Sequence, residues 1–442
     1  MSNPIFLHRL QFAFTVIYHY LFPVLTMGLA LLIFIMKALG LSKGREAWND
    51  AARFWIRIFG LNFAVGVVTG IPMEFQFGTN WARFSRYAGS VVGHTLGMES
   101  LFAFFLESSF LSLLILGEKR LGRLGHFGAS AALLAGSWLS GYFIIATNAF
   151  MQYPVGYAVG PDGTLRLAGF WKFVLSPWAA AEYAHNMVSA VVTASFVMSA
   201  LGAFYLLRGE HREQAGLFLK LGTIAGLLSS ILVAFPTGDR QAKLVARHQP
   251  VALAAMEGRF QGGPRAAINL IGQPNVGEHR LDNPLRVPEV LSILAFGHRA
   301  STVRGLDDFP QKEWPDNIEL LYYSFHIMNG LGTILILVMA AANLFAGIGR
   351  LDTNRPMLWI LMFSFPFPYI AVTAGWITAE LGRQPWLVYG LLRTAEGTSP
   401  TVHSGTVLFT LIGFCGLYLL LGVLFLFLIL REIDRGPEAA HV

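Results

Sequence analysis

The chain has 442 residues, 54% of them hydrophobic and only 13% charged, with a formal net charge of +6. An ordinary soluble domain carries ~25% charged residues, so this balance excludes a disordered chain and argues against a soluble enzyme. The basic residues are dispersed among loops, so the positive charge is no nucleic-acid signal and no nucleic-acid partner is expected.

Apolar runs of ~20 residues, each able to cross ~30 Å of hydrocarbon, recur along the chain. We read nine spans, at roughly 12–36, 54–74, 93–117, 127–151, 184–207, 217–236, 318–346, 356–379 and 404–430. In lipid the backbone must satisfy its own hydrogen bonds, so the expected fold is an all-α, polytopic membrane helix bundle. The first run is too long for the core of a cleavable signal. The second contains Gly66, Gly70 and Pro72, which predict a kink at its outer end. The single cysteine, Cys415, lies in the ninth. It excludes disulfides within the chain, a cysteine-held iron–sulfur cluster and thioether haem attachment.

Basic residues concentrate in alternate short loops: Lys43, Arg45 and Arg53; Lys119, Arg120 and Arg123; Arg208, Arg212 and Lys220; Arg350 and Arg355. The intervening loops hold fewer bases per residue: Arg83 and Arg86; Arg166 and Lys172; Arg383 and Arg393. The positive-inside rule then places the N-terminus outside and the C-terminal tail, with Arg431 and Arg435, in the cytoplasm. The chain divides into 1–237 with spans one to six, a hydrophilic outer loop 238–317, and 318–442 with spans seven to nine. A loop this long is usually functional or disordered. Within it Leu244 to Phe260 has helical periodicity broken by Pro250, and reads equally as a membrane-surface helix or a solvated linker.

Ionisable groups inside spans are costly and mark function. With chain direction alternating, His19, Glu99, His185, His326, Met328 and Glu380 all fall in the outer leaflet. His, Met and carboxylate are haem-iron ligands, and a His/Met pair holds low-spin haem. Taken singly, each has a plainer explanation: a hydrogen-bonded core histidine, a packing methionine, or an interfacial acid paired with Arg383. His94, His126 and His403 read as interfacial. Glu107 lies eight residues, ~12 Å along a helix, from Glu99 and near mid-membrane with no base in its span. It suits a proton relay with Ser108, Ser140 and Asn148, although such groups also make ordinary interhelical hydrogen bonds.

Several strings in one order sharpen this reading. They are Arg9-Leu-Gln-Phe-Ala-Phe with Tyr18-His19-Tyr20 and Thr26-Met-Gly-Leu-Ala; Met73-Glu-Phe-Gln-Phe-Gly-Thr-Asn-Trp81; Met98-Glu-Ser-Leu-Phe-Ala-Phe-Phe-Leu-Glu-Ser108; Asn148-Ala-Phe-Met-Gln-Tyr-Pro-Val-Gly156; Gln249-Pro-Val-Ala-Leu-Ala-Ala-Met-Glu257; and Gly375-Trp-Ile-Thr-Ala-Glu-Leu-Gly-Arg-Gln-Pro-Trp386. With these, over essentially its whole length, the sequence resembles subunit I of cytochrome bd-type quinol oxidases, of the short-loop, cyanide-insensitive branch.

The resemblance implies three haems: a low-spin haem b on His185 and Met328, and two high-spin haems, one haem b and one haem d (or a further haem b), served by His19 and Glu380. It implies Glu99 beside the oxygen-reducing centre, and Glu107, Ser108, Ser140 and Asn148 on a proton path from the cytoplasm. Glu257, Asp239 and Gln249 fall in the quinol-binding loop, and His326, Arg383, Trp376 and Arg9 support the haem pockets. The implied activity is oxidation of ubiquinol or menaquinol at the outer face and reduction of oxygen to water, building a proton motive force without pumping. The implied setting is the bacterial cytoplasmic membrane, with a second large membrane subunit and, in some members, a small single-span one. Two positions depart from better-known members: Ala252 replaces a lysine two residues after the Gln-Pro pair, and His326 replaces an arginine two residues before the Met ligand. The rival readings are a quinol oxidase or electron-transfer protein with b-type haem alone and, from another class, a proton-coupled transporter.

Overall fold

Apolar runs that cannot bond water must close their hydrogen bonds along the helix axis. In a computed structural model describing residues 4–42, 46–100 and 104–437, they do so in sixteen α-helices. In chain order these are α1 (Pro4–Gly40), α2 (Glu46–Thr79), α3 (Ala82–Met98), α4 (Phe104–Leu116), α5 (Glu118–Gln152), α6 (Phe170–Val174), α7 (Pro177–Arg208) and α8 (Arg212–Leu232). There follow α9 (Asp239–His248), α10 (Pro250–Met256), α11 (Val290–Phe296), α12 (Ile318–Gly347), α13 (Arg355–Ser364), α14 (Pro366–Arg383), α15 (Thr394–Gly397) and α16 (Ser404–Arg435).

Among the described residues, eight helical stretches are long and apolar enough to cross a membrane. They match the expected spans except the third, 93–117, which divides into α3 and the short apolar α4. Residues 101–103 of that span, within the Met98–Ser108 string, lie outside the described residues, as do Lys43 and Arg45 of the orientation argument. Two further expectations are corrected. Helix α2 continues past Gly66, Gly70 and Pro72 to Thr79, so the second span is longer than expected. Leu244–Phe260 is neither linker nor surface helix: Pro250 opens α10, whose residues Val251 to Met256 are all buried. Proline at a first helical position gives up only an N–H that has no partner there, so it starts a helix instead of breaking one.

Local signals set the helix ends. Ser176 caps α7 by accepting from Ala179 N, with Pro177 next, and Asn317 caps α12 by accepting from Leu320 N. Gly209 closes α7 at φ 78. The bundle core gathers Leu29, Ile33, Met36, Trp55, Phe59 and Phe218 from α1, α2 and α8. Small residues let the backbones touch. A Cβ on Gly28 would lie 2.1 Å from the Ala190 carbonyl oxygen, and one on Gly222 would lie 2.4 Å from Ser199 Oγ.

The 238–317 segment folds as a unit on one end of the bundle, here termed the loop end. It contains a hairpin of strands Ile268–Asn275 and Arg280–Val287 and its own buried clusters around Met256, Phe260 and Trp314. It meets the N-terminal ends of α1 and α12 and the C-terminal ends of α5 and α14. Arg9 pairs with Asp316 at 2.6 Å, Gln249 donates to Gln152, and Gln152 donates to the Ala379 carbonyl.

Candidate functional site

Two histidines share one construction. His19 Nδ1 lies 3.1 Å from Thr69 Oγ1, and His185 Nδ1 lies 3.3 Å from Thr237 Oγ1. Each threonine hydroxyl donates its only proton to a carbonyl behind it, Val65 or Gly66 for Thr69 and Leu232 or Val233 for Thr237. With the hydroxyl protons so placed, both oxygens accept from the imidazole Nδ1–H. That fixes the tautomer and leaves each Nε2 with its lone pair, the arrangement of an oriented metal ligand. Thr237 reaches His185 because the helix deviates between α8 and α9, with Phe235 in extended backbone.

Small residues sit against three candidate ligands. A Cβ on Gly70 would fall 3.0 Å from the His19 ring, one on Gly238 3.5 Å from the His185 ring, and one on Gly375 3.0 Å from Met328 Sδ. Glu380, one turn after the half-buried Trp376, accepts from Asn148 Nδ2 at 2.9 Å and from Arg383 Nη2. Its side chain is nevertheless 38% exposed, so one flank stays open, whereas Arg383 is 2% exposed. Arg383 Nε and Nη1 are buried without a partner, N–H donors left for a further anion.

Among the described residues, no group of three or more His, Cys, Asp or Glu gathers to hold a bare ion. The ligands are presented singly on α1, α7, α12 and α14. An iron already held by four porphyrin nitrogens needs only such single axial donors, and the unpaired Arg383 edge suits a propionate. The donor set fits haem.

The acids of the expected relay lie nearby. Ser140 donates to Glu99 Oε1 at 3.2 Å. Glu107 is buried on α4 with Ser137 of α5 beside it and Glu99 within electrostatic range. The half-buried Ser108 follows it, its carbonyl accepting from Ser112. Asn148 donates from Nδ2 to Glu380, and its Oδ1 is buried without a partner.

In the loop, Glu257 is 1% exposed and Ala252 is buried close by. Burial pushes the Glu257 carboxyl up to about 7, against the pull of the Asn269 backbone N–H and Arg259. Gln249 is locked onto Gln152, and Asp239 pairs with Lys243 at 2.6 Å. Arg9 serves Asp316. His326 places both nitrogens at 2.8 Å from carbonyls, those of Tyr322 and Asn269. His126, expected at the interface, is instead buried with Nε2 on the Leu114 carbonyl.

Sequence reasoning missed Glu182, which takes the Trp178 indole N–H on one oxygen, leaves the other unpaired and lies within electrostatic range of Glu380. It also missed Glu74, within range of Glu99. Starting span five at 184 put Glu182 in a loop, although Ser176-Pro177 marks the true helix start.

Comparison with known proteins agrees with this geometry. The family model for "Cytochrome bd terminal oxidase subunit I" matches residues 7–437. The chain belongs to this family. It is 35% identical to the cytochrome bd ubiquinol oxidase subunit 1 of Bacillus subtilis, covering 98% of this chain and 94% of that protein. It is 33% identical to the cytochrome bd-II ubiquinol oxidase subunit 1 of Escherichia coli, covering 99% and 98%. The bd oxidase structure from Geobacillus thermodenitrificans superposes with a TM-score of 0.91 at 31% identity, covering 98% of this chain and 99% of that one. As a cytochrome bd subunit I, the protein is part of a terminal quinol oxidase, a respiratory oxidoreductase that uses haem.

Proposed function

We propose that His185 and Met328 are the axial ligands of a low-spin haem b. His19 and Glu380 serve two high-spin haems, one haem b and the other haem d or a further haem b. The observation that carries this reading is the matched pair of threonine-anchored histidines, each with Nε2 free to bind iron. Haem, when bound, supplies one-electron transfer and oxygen reduction. The rest falls to the chain's own side chains.

Glu257 accepts a proton from the quinol hydroxyl at the loop end, which faces outside; ubiquinol and menaquinol are the candidate substrates. Gln249 and Asp239 shape the surrounding loop. Glu107, with Ser108, takes protons from the cytoplasmic side and passes them to Glu99, which Ser140 orients. Asn148 and Arg383 orient Glu380, and Trp376 walls the pocket. Quinol protons leave outside while the protons consumed by oxygen come from inside. Charge therefore crosses without a pump, and each elementary charge is worth ~2.3 kcal/mol per 100 mV. The denser Lys and Arg loops at the opposite end support this orientation.

The setting we propose is the bacterial cytoplasmic membrane, with a second large membrane subunit and a small single-span one as partners. An absorption spectrum of the purified, dithionite-reduced oxidase, with haem extraction, tests the proposal. A red haem d band beside b-type bands is expected. Bands of b-type alone assign the third haem as b, and a colourless protein overturns the reading.

A further inference from the structure

Asn269 opens the loop hairpin, opposite Arg286 in register, and spends all four of its polar groups on fixing one place. Its backbone N–H donates to Glu257 Oε2 at 3.3 Å, and its side-chain amide donates to the Glu257 carbonyl at 2.5 Å. Its Oδ1 accepts from Arg286 Nε at 3.1 Å, and its own carbonyl lies 2.8 Å from His326 Nε2. With its proton on Nε2, His326 donates to that carbonyl, and its ring is held by the Tyr322 ring, 3.9 Å away centroid to centroid, with Nδ1 2.8 Å from the Tyr322 carbonyl. Gly258 lets the loop press on that same tyrosine. A Cβ there would fall 3.0 Å from Tyr322 ring carbons, and its φ is +58.

A continuous set of contacts therefore runs from the Glu257 carboxyl through Asn269 to His326, which lies two residues before Met328 on α12. Every member is buried or half-buried, so each bond is shielded from competing water. The strand Ile268–Asn275 alone could not set this register, because its ladder is irregular between Asn269 and Ile271 and again between Ile271 and Gln273.

We propose that Asn269 and His326 form a strap that holds the quinol-side carboxyl of Glu257 at a fixed place relative to the helix turn carrying Met328. Both are positioning residues for quinol oxidation, and neither touches substrate. This rests on the reading of Glu257 as the quinol contact. Positioning of this kind is felt in substrate use, because small displacements of a reacting group cost rate steeply.

The test uses the complete oxidase with its partner subunits, a water-soluble short-chain quinol and an artificial electron donor. The variants are His326→Leu, His326→Gln, Asn269→Ala, Glu257→Gln and the double variant of His326→Leu with Glu257→Gln. His326→Leu should raise the apparent quinol KM about tenfold, the effect of one hydrogen bond to a buried group. The low-spin spectrum and turnover with the artificial donor should persist. His326→Gln, which keeps an amide donor, should recover KM to within about twofold. The double variant should be no worse than Glu257→Gln alone, because the two residues act through one contact.

An unchanged KM in His326→Leu, with Glu257→Gln impaired, overturns the strap. So do multiplicative effects in the double variant, or loss of the low-spin spectrum in both His326 variants. If His326→Leu fails to assemble, Asn269→Ala decides. It keeps both backbone bonds and should still raise KM about threefold, and an unchanged value overturns the strap. Unaltered quinol kinetics in Glu257→Gln instead sink the Glu257 reading on which the strap rests.

Discussion

The two ends of the bundle handle buried charge in opposite ways. At the end away from the loop, charges meet countercharges. Lys37, 3% exposed, lies 3.2 Å from Glu118, which Arg53 also reaches at 3.1 Å. Arg57 pairs with Glu432, and Arg123 pairs with Glu46 at 2.5 Å. At the loop end and toward mid-membrane, Glu380 has Arg383 beside it, but three other acids are met by neutral donors: Glu257 by Asn269, Glu99 by Ser140, Glu182 by the Trp178 indole. A buried ion pair is costly to form and costlier to break, and it holds its protons. A carboxyl held by neutral donors can exchange its proton. The first end closes the bundle with ion pairs; the second holds the acids that the proposed function assigns to proton transfer.

The largest effect that would break this comparison is at His19. His19→Ala should remove one high-spin haem and abolish oxygen reduction, as measured by haem content and oxygen uptake; retention of both would dissolve the ligand assignment. Next comes Glu107→Leu, expected to slow turnover and charge movement by about 10²-fold without loss of haem. Normal charge movement in that variant would place the proton path elsewhere.

The third sharpens the loop end. A carboxyl raised to about 7 is protonated below that pH and becomes a base above it. Quinol oxidation should therefore climb with pH through about 7 with the slope of one proton, and Glu257→Gln should flatten that limb. A wild-type profile already flat across this range would remove Glu257 as the base. The fourth probes the other end. Glu118→Gln strands Lys37 and should cost about 3 kcal/mol, read as a lower apparent Tm, with haem spectra intact. The smallest effect is expected at the loop surface. Arg280→Ala breaks pairs with Glu278 and Asp282 made by a 61% exposed side chain, and should cost under about 1 kcal/mol.

Much of this architecture was legible before any coordinates. Spans announce themselves through apolar length, and His19, His185 and Glu380 stand out as polar residues that lipid does not tolerate, whereas Met328 by itself reads as packing. The loop was less legible, because Pro250 reads as a breaker unless one knows that Gln249 precedes the first turn of α10. Thr69 and Thr237 carry the tautomer argument, yet threonine in a span looks like ordinary packing, and only the fold brings them to His19 and His185. Asn148 was placed on the proton path by the family resemblance, which says nothing of its partners. Facing directions on α5 send Ser140 to Glu99 and Asn148 to Glu380. His326 read as a possible competitor for iron, whereas the fold sets each of its nitrogens 2.8 Å from a backbone carbonyl.

The account's central claim is that histidine and methionine from separate helices clasp one low-spin iron. Reduced-state absorption and electron paramagnetic resonance on the purified His185→Ala and Met328→Leu oxidases test it most directly. The account predicts that each variant loses the six-coordinate, low-spin signal and keeps a high-spin one. An intact low-spin signal in both would contradict it.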